Sequence, residues 1–254
     1  MTTNVYDASG GVLATDSRWS YQHGWFLIYI DETAFEKLEV IGNFAFMFAG
    51  RGQVIQNWKT YLRSKPTDGS NMPDCDGMCM SGVNTTTGAI RFAEGNSVSR
   101  EGATFAGSGS KHAVECWLRN RNAKRSVESA KVFDPATGGR TMYYELNGGG
   151  HNLAQGHVGL PGTIADVDKA LLTRGIIMDT RPLQAPGVPF PLSNGASTPA
   201  PASDVDKKEI DELMRKLQTG EASAEAPCDG MYSEWTPEAK DRLKGFLGEV
   251  FDWK

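Results

Sequence analysis

Through residue 146 the apolar residues of this chain come in short runs broken by glycine-rich turns, and few folds accept that pattern. Residues 11–14 follow a Gly-Gly turn. Residues 24–30 (GWFLIYI) read as a buried strand, and runs at 38–41 and 44–48 flank Gly42-Asn43, a tight hairpin turn. The period then changes. Val54, Trp58, Tyr61 and Leu62 recur at helical spacing after Gly50-Arg51-Gly52. Residues 65–77 form a loop, and strands return at 78–84, 88–93 and 103–106, the last running into Gly107-Ser108-Gly109-Ser110. Ser110 opens a helix that carries Ala113, Val114, Trp117 and Leu118 inward. A second helix over 125–133 breaks at Asp134-Pro135, and residues 141–146 are a strand. Strands, two helices and strands again predict sheets covered by helices.

The second half has a different texture. Residues 147–163 are glycine-rich and irregular, and a helix is expected over 164–173. Six of the twelve prolines fall in residues 182–203, the composition of a linker or extended loop. Two amphipathic helices follow. The first is opened by Ser203 and shows Ile210, Leu213, Met214 and Leu217. The second is opened by Thr236-Pro237 and shows Leu243, Phe246, Leu247 and Val250. The expected division is a domain over 1–180, a linker over 181–203 and a C-terminal helical extension over 204–254. The two apolar stripes need a surface, either on their own domain or on a neighbouring subunit.

Composition narrows the function. A net charge of −5 with no dense Lys/Arg stretch argues against a nucleic-acid partner. No apolar run approaches a membrane span, and the start lacks the basic and apolar regions of a secretory signal, so a cytoplasmic protein is expected. Cys75-Asp-Gly-Met-Cys79 is half of a metal site without a second half, so Cys75, Cys79, Cys116 and Cys228 read as free thiols and no metal or other cofactor is expected. His151 and His157, with no carboxylate nearby, read as loop residues.

The chemistry begins at residue 2. Thr2 stands behind Met1 alone, and a residue this small lets the initiator be trimmed. One residue would then carry a hydroxyl nucleophile and a free α-amine able to act as its base. Such an amine has a reference pKa of about 7.7–8, suited to accepting and returning a proton near neutrality. The remaining needs are a cation and an oxyanion donor. Lys37 lies between two apolar runs, where a charge needs a carboxylate partner, and Asp16 in the run 12–16 is the natural one. Gly50, directly after Ala49, could offer an unobstructed backbone N–H.

Taken in order, Thr2-Thr3-x-Val5, Gly11-Val-Leu-Ala-Thr-Asp16-Ser-Arg18, Lys37, Ala49-Gly50, Gly107-Ser-Gly-Ser110 and Asp134-Pro-Ala-Thr137-Gly-Gly139 resemble the motifs of the proteasome β-subunit family and its bacterial relative HslV. The likeness spans about residues 2–146. It implies an α+β fold, the four-layer αββα sandwich of the N-terminal nucleophile (Ntn) hydrolases. It implies Thr2 as nucleophile, Asp16 and Lys37 as the buried pair that tunes it, and Gly50 as the oxyanion donor. Ser108, Asp134 and Thr137 would surround the Thr2 amine, Thr137 standing where the family usually has serine. Trp19, Ser20 and Phe48 would line the substrate strand and first specificity pocket, the bulk of Phe48 making that pocket shallow or selective for apolar groups. A homo-oligomer, possible as a ring, is the implied assembly. A peptide or unfolded protein is the implied substrate, and an unfoldase ATPase a candidate partner.

The chain departs from the family in its shorter segments between Gly50 and Gly107 and between Ser108 and Asp134. A helix of the first layer is expected to be lost or reduced, which puts ring contacts in doubt. A non-catalytic scaffold subunit and an Ntn amidase acting on a small amide are the alternatives.

Overall fold

Alternating side chains set the first sheet. The computed structural model describes residues 2–95, 97–153, 159–181, 189–191 and 204–253. In chain order its elements begin with β1 (Asn4–Asp7), β2 (Val12–Asp16), β3 (Trp19–His23), β4 (Phe26–Ile30), β5 (Leu38–Ile41), β6 (Phe44–Arg51) and α1 (Gly52–Arg63). They continue with β7 (Met78–Asn84), β8 (Ile90–Glu94), β9 (Val98–Arg100), β10 (Ala103–Ala106), α2 (Ser110–Asn120), α3 (Ala123–Phe133) and β11 (Thr141–Glu145). The remainder are β12 (Gly150–His151), α4 (Ile164–Arg174), β13 (Ile176–Asp179), β14 (Pro189–Pro191), α5 (Asp204–Thr219), β15 (Glu225–Ala226) and α6 (Pro237–Phe251).

One sheet runs β12-β11-β2-β1-β10-β9. The other runs β14-β13-β4-β3-β15-β6-β7-β8, with β5 also on β6, and each pairing among the described residues is antiparallel. Both faces of β1 and β2 are covered. Val5 and Ala14 pack with Ala113, Trp117, Val127 and Ala130 of α2 and α3, while their neighbours Tyr6 and Leu13 pack with Leu38, Ala45, Met47 and Val83 of the other sheet. A strand covered on both faces can carry apolar residues at successive positions, as Val5-Tyr6 and Leu13-Ala14 do.

The outer face of the second sheet is covered by α1, α4, α5 and α6. Trp58, Val167, Leu171, Leu213, Leu217, Leu243, Phe246 and Leu247 join Ile28, Phe46, Phe48 and Phe92 in one cluster. Both C-terminal stripes therefore lie against their own chain. Between Arg51 and Met78 there is a single helix, α1, and α6 lies on β8. Local signals place the helix ends. Asn122 caps α3 by accepting from Arg125 N, Thr163 and Asp166 form a reciprocal capping box on α4, and Thr236 caps α6 with Pro237 following.

Several expectations need amendment. Strands β1, β3, β9, β13 and β15 are additional to those read from the sequence, and β6 continues past Phe48 to Arg51. Residues 150–151, within the stretch expected to be irregular, pair with β11, and residues 189–191 of the expected linker pair with β13. Met1, His157, Ser203 and the rest of residues 182–203 lie outside the described residues. His151 is exposed and stacks on Tyr144 at 6.0 Å. The four cysteines are free thiols. No helix among the described residues is long and apolar enough to cross a membrane.

Candidate active site

Residue 2 enters β1 at the edge where β2 and β10 flank it, and Thr2 is fully buried. Its Oγ1 donates to Asp16 Oδ1 at 2.5 Å. The same oxygen accepts from Thr3 N at 2.9 Å. The other oxygen, Oδ2, accepts from Lys37 Nζ at 3.0 Å, Arg18 N at 3.1 Å and Gly138 N at 3.2 Å. Five donors thus converge on one buried carboxylate, and both charged side chains of the pair are fully inaccessible. Burial lowers the Lys37 pKa, while the Asp16 charge and hydrogen bond oppose that shift. Position in the fold explains the pair. Asp16 ends β2 on the strand next to β1, and Lys37 precedes β5, where its carbonyl accepts from Phe48 N at 2.8 Å.

A second network lies behind residue 3. Thr137 Oγ1 donates to Asp134 Oδ2 at 2.6 Å, so its contact with Thr3 Oγ1 at 2.9 Å has Thr3 as donor. Ser108 Oγ also donates to Asp134 Oδ2, at 3.3 Å. The predicted set Ser108, Asp134 and Thr137 is therefore assembled, but through its side chains it reaches Thr3. The Thr2 N–H instead donates to the Pro227 carbonyl at 3.2 Å, and Ser108 N–H donates to that carbonyl at 3.3 Å.

The glycine turn before α2 is what lets these groups close up. Gly107 has φ +88°, and a Cβ there would strike the Thr2 carbonyl oxygen. Gly109 N then donates to that same oxygen at 3.2 Å. Gly50, at φ +132° inside β6, has the same requirement: a Cβ would run into the Gly77 carbonyl oxygen.

The residues expected to meet substrate are all buried. Trp19 donates from Nε1 to the Phe35 carbonyl at 2.7 Å and stacks on Phe35 at 4.8 Å, with Lys37 Nζ 5.6 Å from its ring centre. The Phe48 ring stacks on Phe46 at 6.3 Å, and its carbonyl accepts from Asn4 Nδ2 at 2.9 Å. Ser20 faces Glu225 of β15, and Gly50 faces Ala226. Within residues 224–228 the sequence points only to Cys228, as a free thiol, and not to the strand. The signal available was the alternation of Ala224, Ala226 and Cys228 with Ser223, Glu225 and Pro227.

No protein-family model matches the sequence, and no curated protein does either. Among solved structures the chain is similar to Thiobacillus denitrificans BPH, at 16% identity and a TM-score of 0.41, over 58% of this chain and 98% of that one. It is also similar to Thiobacillus denitrificans BPH in complex with epoxomicin, at 15% identity and a TM-score of 0.35, over 57% of this chain and 98% of that one.

Proposed function

We propose that this protein is a threonine-dependent amide hydrolase, a proteasome-like peptidase of the Ntn class whose nucleophile is Thr2 after removal of Met1. The observation that carries the reading is the buried contact of Thr2 Oγ1 with Asp16 at 2.5 Å, the same carboxylate holding Lys37 at 3.0 Å. A lysine and an aspartate without access to water are costly to bury, and here the aspartate joins them to the hydroxyl of the second residue, one oxygen accepting from Thr2 and the other from Lys37. The arrangement of two antiparallel sheets with helices supports the finer reading as a four-layer Ntn sandwich.

In this mechanism the freed α-amine takes the Thr2 hydroxyl proton as the oxygen adds to the carbonyl carbon. The Lys37 cation favours the developing alkoxide, and the Gly50 N–H receives the oxyanion. Collapse expels the amine product, which leaves with the proton held by the α-amine. Water, activated by the same amine, then cleaves the Thr2 ester. Asp16 orients the hydroxyl and neutralises Lys37. Ser108, Asp134 and Thr137 position the terminus through Thr3, and Ser20 borders the cleft opposite Glu225, whereas Trp19 and Phe48, expected to line it, pack in the helix-covered cluster on the outer face of the second sheet.

The expected outcome for Thr2→Ala is loss of peptide hydrolysis in protein that still folds and unfolds cooperatively, and whose intact mass shows that Met1 is gone. Hydrolysis at the wild-type rate in Thr2→Ala would falsify the assignment.

A further inference from the structure

The cleft beside Thr2 already holds a strand, and it belongs to this chain. β15 lies between β3 and β6 and is antiparallel to both, with Glu225 opposite Ser20 and Arg51 and Ala226 opposite Gly50. Gly52 N donates to the Ala224 carbonyl at 3.1 Å. Hydrogen-bonded pairs alternate along an antiparallel ladder, so the next exchanging pair is Gly50 with Ala226, and the Ala226 carbonyl faces the Gly50 N–H. One residue further on, the Pro227 carbonyl takes both the Thr2 and the Ser108 N–H. The Ala226–Pro227 peptide is thus presented between the oxyanion donor and the nucleophilic residue.

The strand is fixed at both ends. Asp168 accepts from Ser223 Oγ at 2.7 Å and from Ala224 N at 2.6 Å. Downstream, Trp235 Nε1 donates to the Met78 carbonyl at 2.9 Å. Ala224 and Ala226 are fully buried, and Gly52 must be glycine because a Cβ would strike the Ala224 carbonyl.

We propose that residues 224–228 are a resident pseudosubstrate, held in the register of a substrate across the Thr2 site and displaced before an external peptide can be hydrolysed. The proposal rests on the reading of Thr2 as nucleophile. It also names the substrate's form: an extended peptide that runs antiparallel to β3 and β6, is recognised through its backbone, and carries a small side chain at the attacked residue. The resident strand resists attack because the bond it offers is a tertiary amide to proline, whose ring sits on the leaving-group side. The proline carbonyl also engages the Thr2 nitrogen.

The test uses the full-length chain with Met1 removed and a peptide epoxyketone as probe. The hydroxyl of an N-terminal threonine adds to the ketone of such a probe, and its amine opens the epoxide, so labelling reads the site directly. Two variants loosen the strand from different sides. Ala226→Pro removes the N–H that faces Gly50, and Asp168→Asn weakens the anchor. The labelling rate, followed by intact mass, is expected to rise at least about tenfold in Ala226→Pro and less in Asp168→Asn. In labelled wild-type protein, hydrogen exchange over 224–228 should speed up while β6 and β7 keep their protection. Equal labelling rates in all three proteins, with 224–228 still protected after labelling, overturn the proposal. So does a wild-type mass showing the chain cut after Ala226, which would make the segment a true substrate. If exchange shows the strand released in the variants and no form labels, the resident strand stands and the threonine-hydrolase reading falls.

Discussion

Replacing Lys37 with methionine isolates the role of the buried charge. The side chain keeps most of its volume and loses only its ammonium. Lys37 Nζ lies 3.0 Å from Asp16 Oδ2, with neither side chain reached by solvent. Removing one partner of such a pair costs about 3–5 kcal/mol, because the other charge is left buried and unpaired. Four donors to Asp16 survive the change, namely Thr2 Oγ1, Thr3 N, Arg18 N and Gly138 N, so the lower end applies. A loss of about 3 kcal/mol moves a urea midpoint down by about 1.5 M for a slope of about 2 kcal/mol/M. The double variant Asp16→Asn/Lys37→Met removes both charges and should lose less than Lys37→Met alone, with a coupling of about 1–3 kcal/mol. Equilibrium urea unfolding of the four proteins measures this cycle. A loss below about 1 kcal/mol in Lys37→Met, or simple additivity in the double variant, refutes the picture of a desolvated pair held for chemistry.

Gly107→Ala forces a side chain into φ +88° and onto the Thr2 carbonyl, so a loss of at least about 2 kcal/mol is expected in urea unfolding, together with slower epoxyketone labelling. Phe246 of α6 sits 5.6 Å from Phe44, 5.7 Å from Phe46 and 5.8 Å from Phe92, ring centre to ring centre. Phe246→Ala should cost about 3–5 kcal/mol, and a change under about 1 kcal/mol would show that α6 does not cover this sheet in solution. Burial pushes the Glu225 carboxyl up to about 7, against the pull of Arg51. A raised pKa in the inserted strand means that its stabilisation is full below the ordinary carboxylate range and is lost as pH rises through about 7. Exchange over 224–228, corrected for intrinsic rates, should therefore accelerate from about pH 4.5 to about pH 7 and level off above it, and Glu225→Gln should remove that acceleration. Identical pH profiles in the two proteins would contradict the assignment.

β4 and β6 were legible because they are buried on both faces and run as near-unbroken apolar stretches, whereas β1, with two apolar residues between Asn4 and Asp7, was not. The pair Lys37–Asp16 was legible for the converse reason: a lone charge between such runs has to be matched. β3 escaped notice because Trp19-Ser-Tyr-Gln-His23 mixes polar and aromatic residues without a clean period. β15 escaped because alanine is a weak strand former and the alternation over 223–228 is short and interrupted by a proline. That strand exists only because β3 and β6, fixed far earlier in the chain, leave a gap of one strand's width between them. The link from Thr3 through Thr137 to Asp134 was likewise set by the docking of α3 beside β1, which spacing along the chain does not encode.

The position of β15 also bears on how the protein behaves when that strand is out. Withdrawing two paired residues would turn the inner rows of β3 and β6 into facing, unpaired edges, each a template for any extended chain. An empty cleft is therefore adhesive as well as open. The small, charge-bearing segment Ala224-Glu225-Ala226 keeps those edges from pairing with another molecule for as long as it stays in place. On this view solubility and latency are one property of the chain, and a variant that frees the cleft should begin to self-associate under the same conditions that make it accessible.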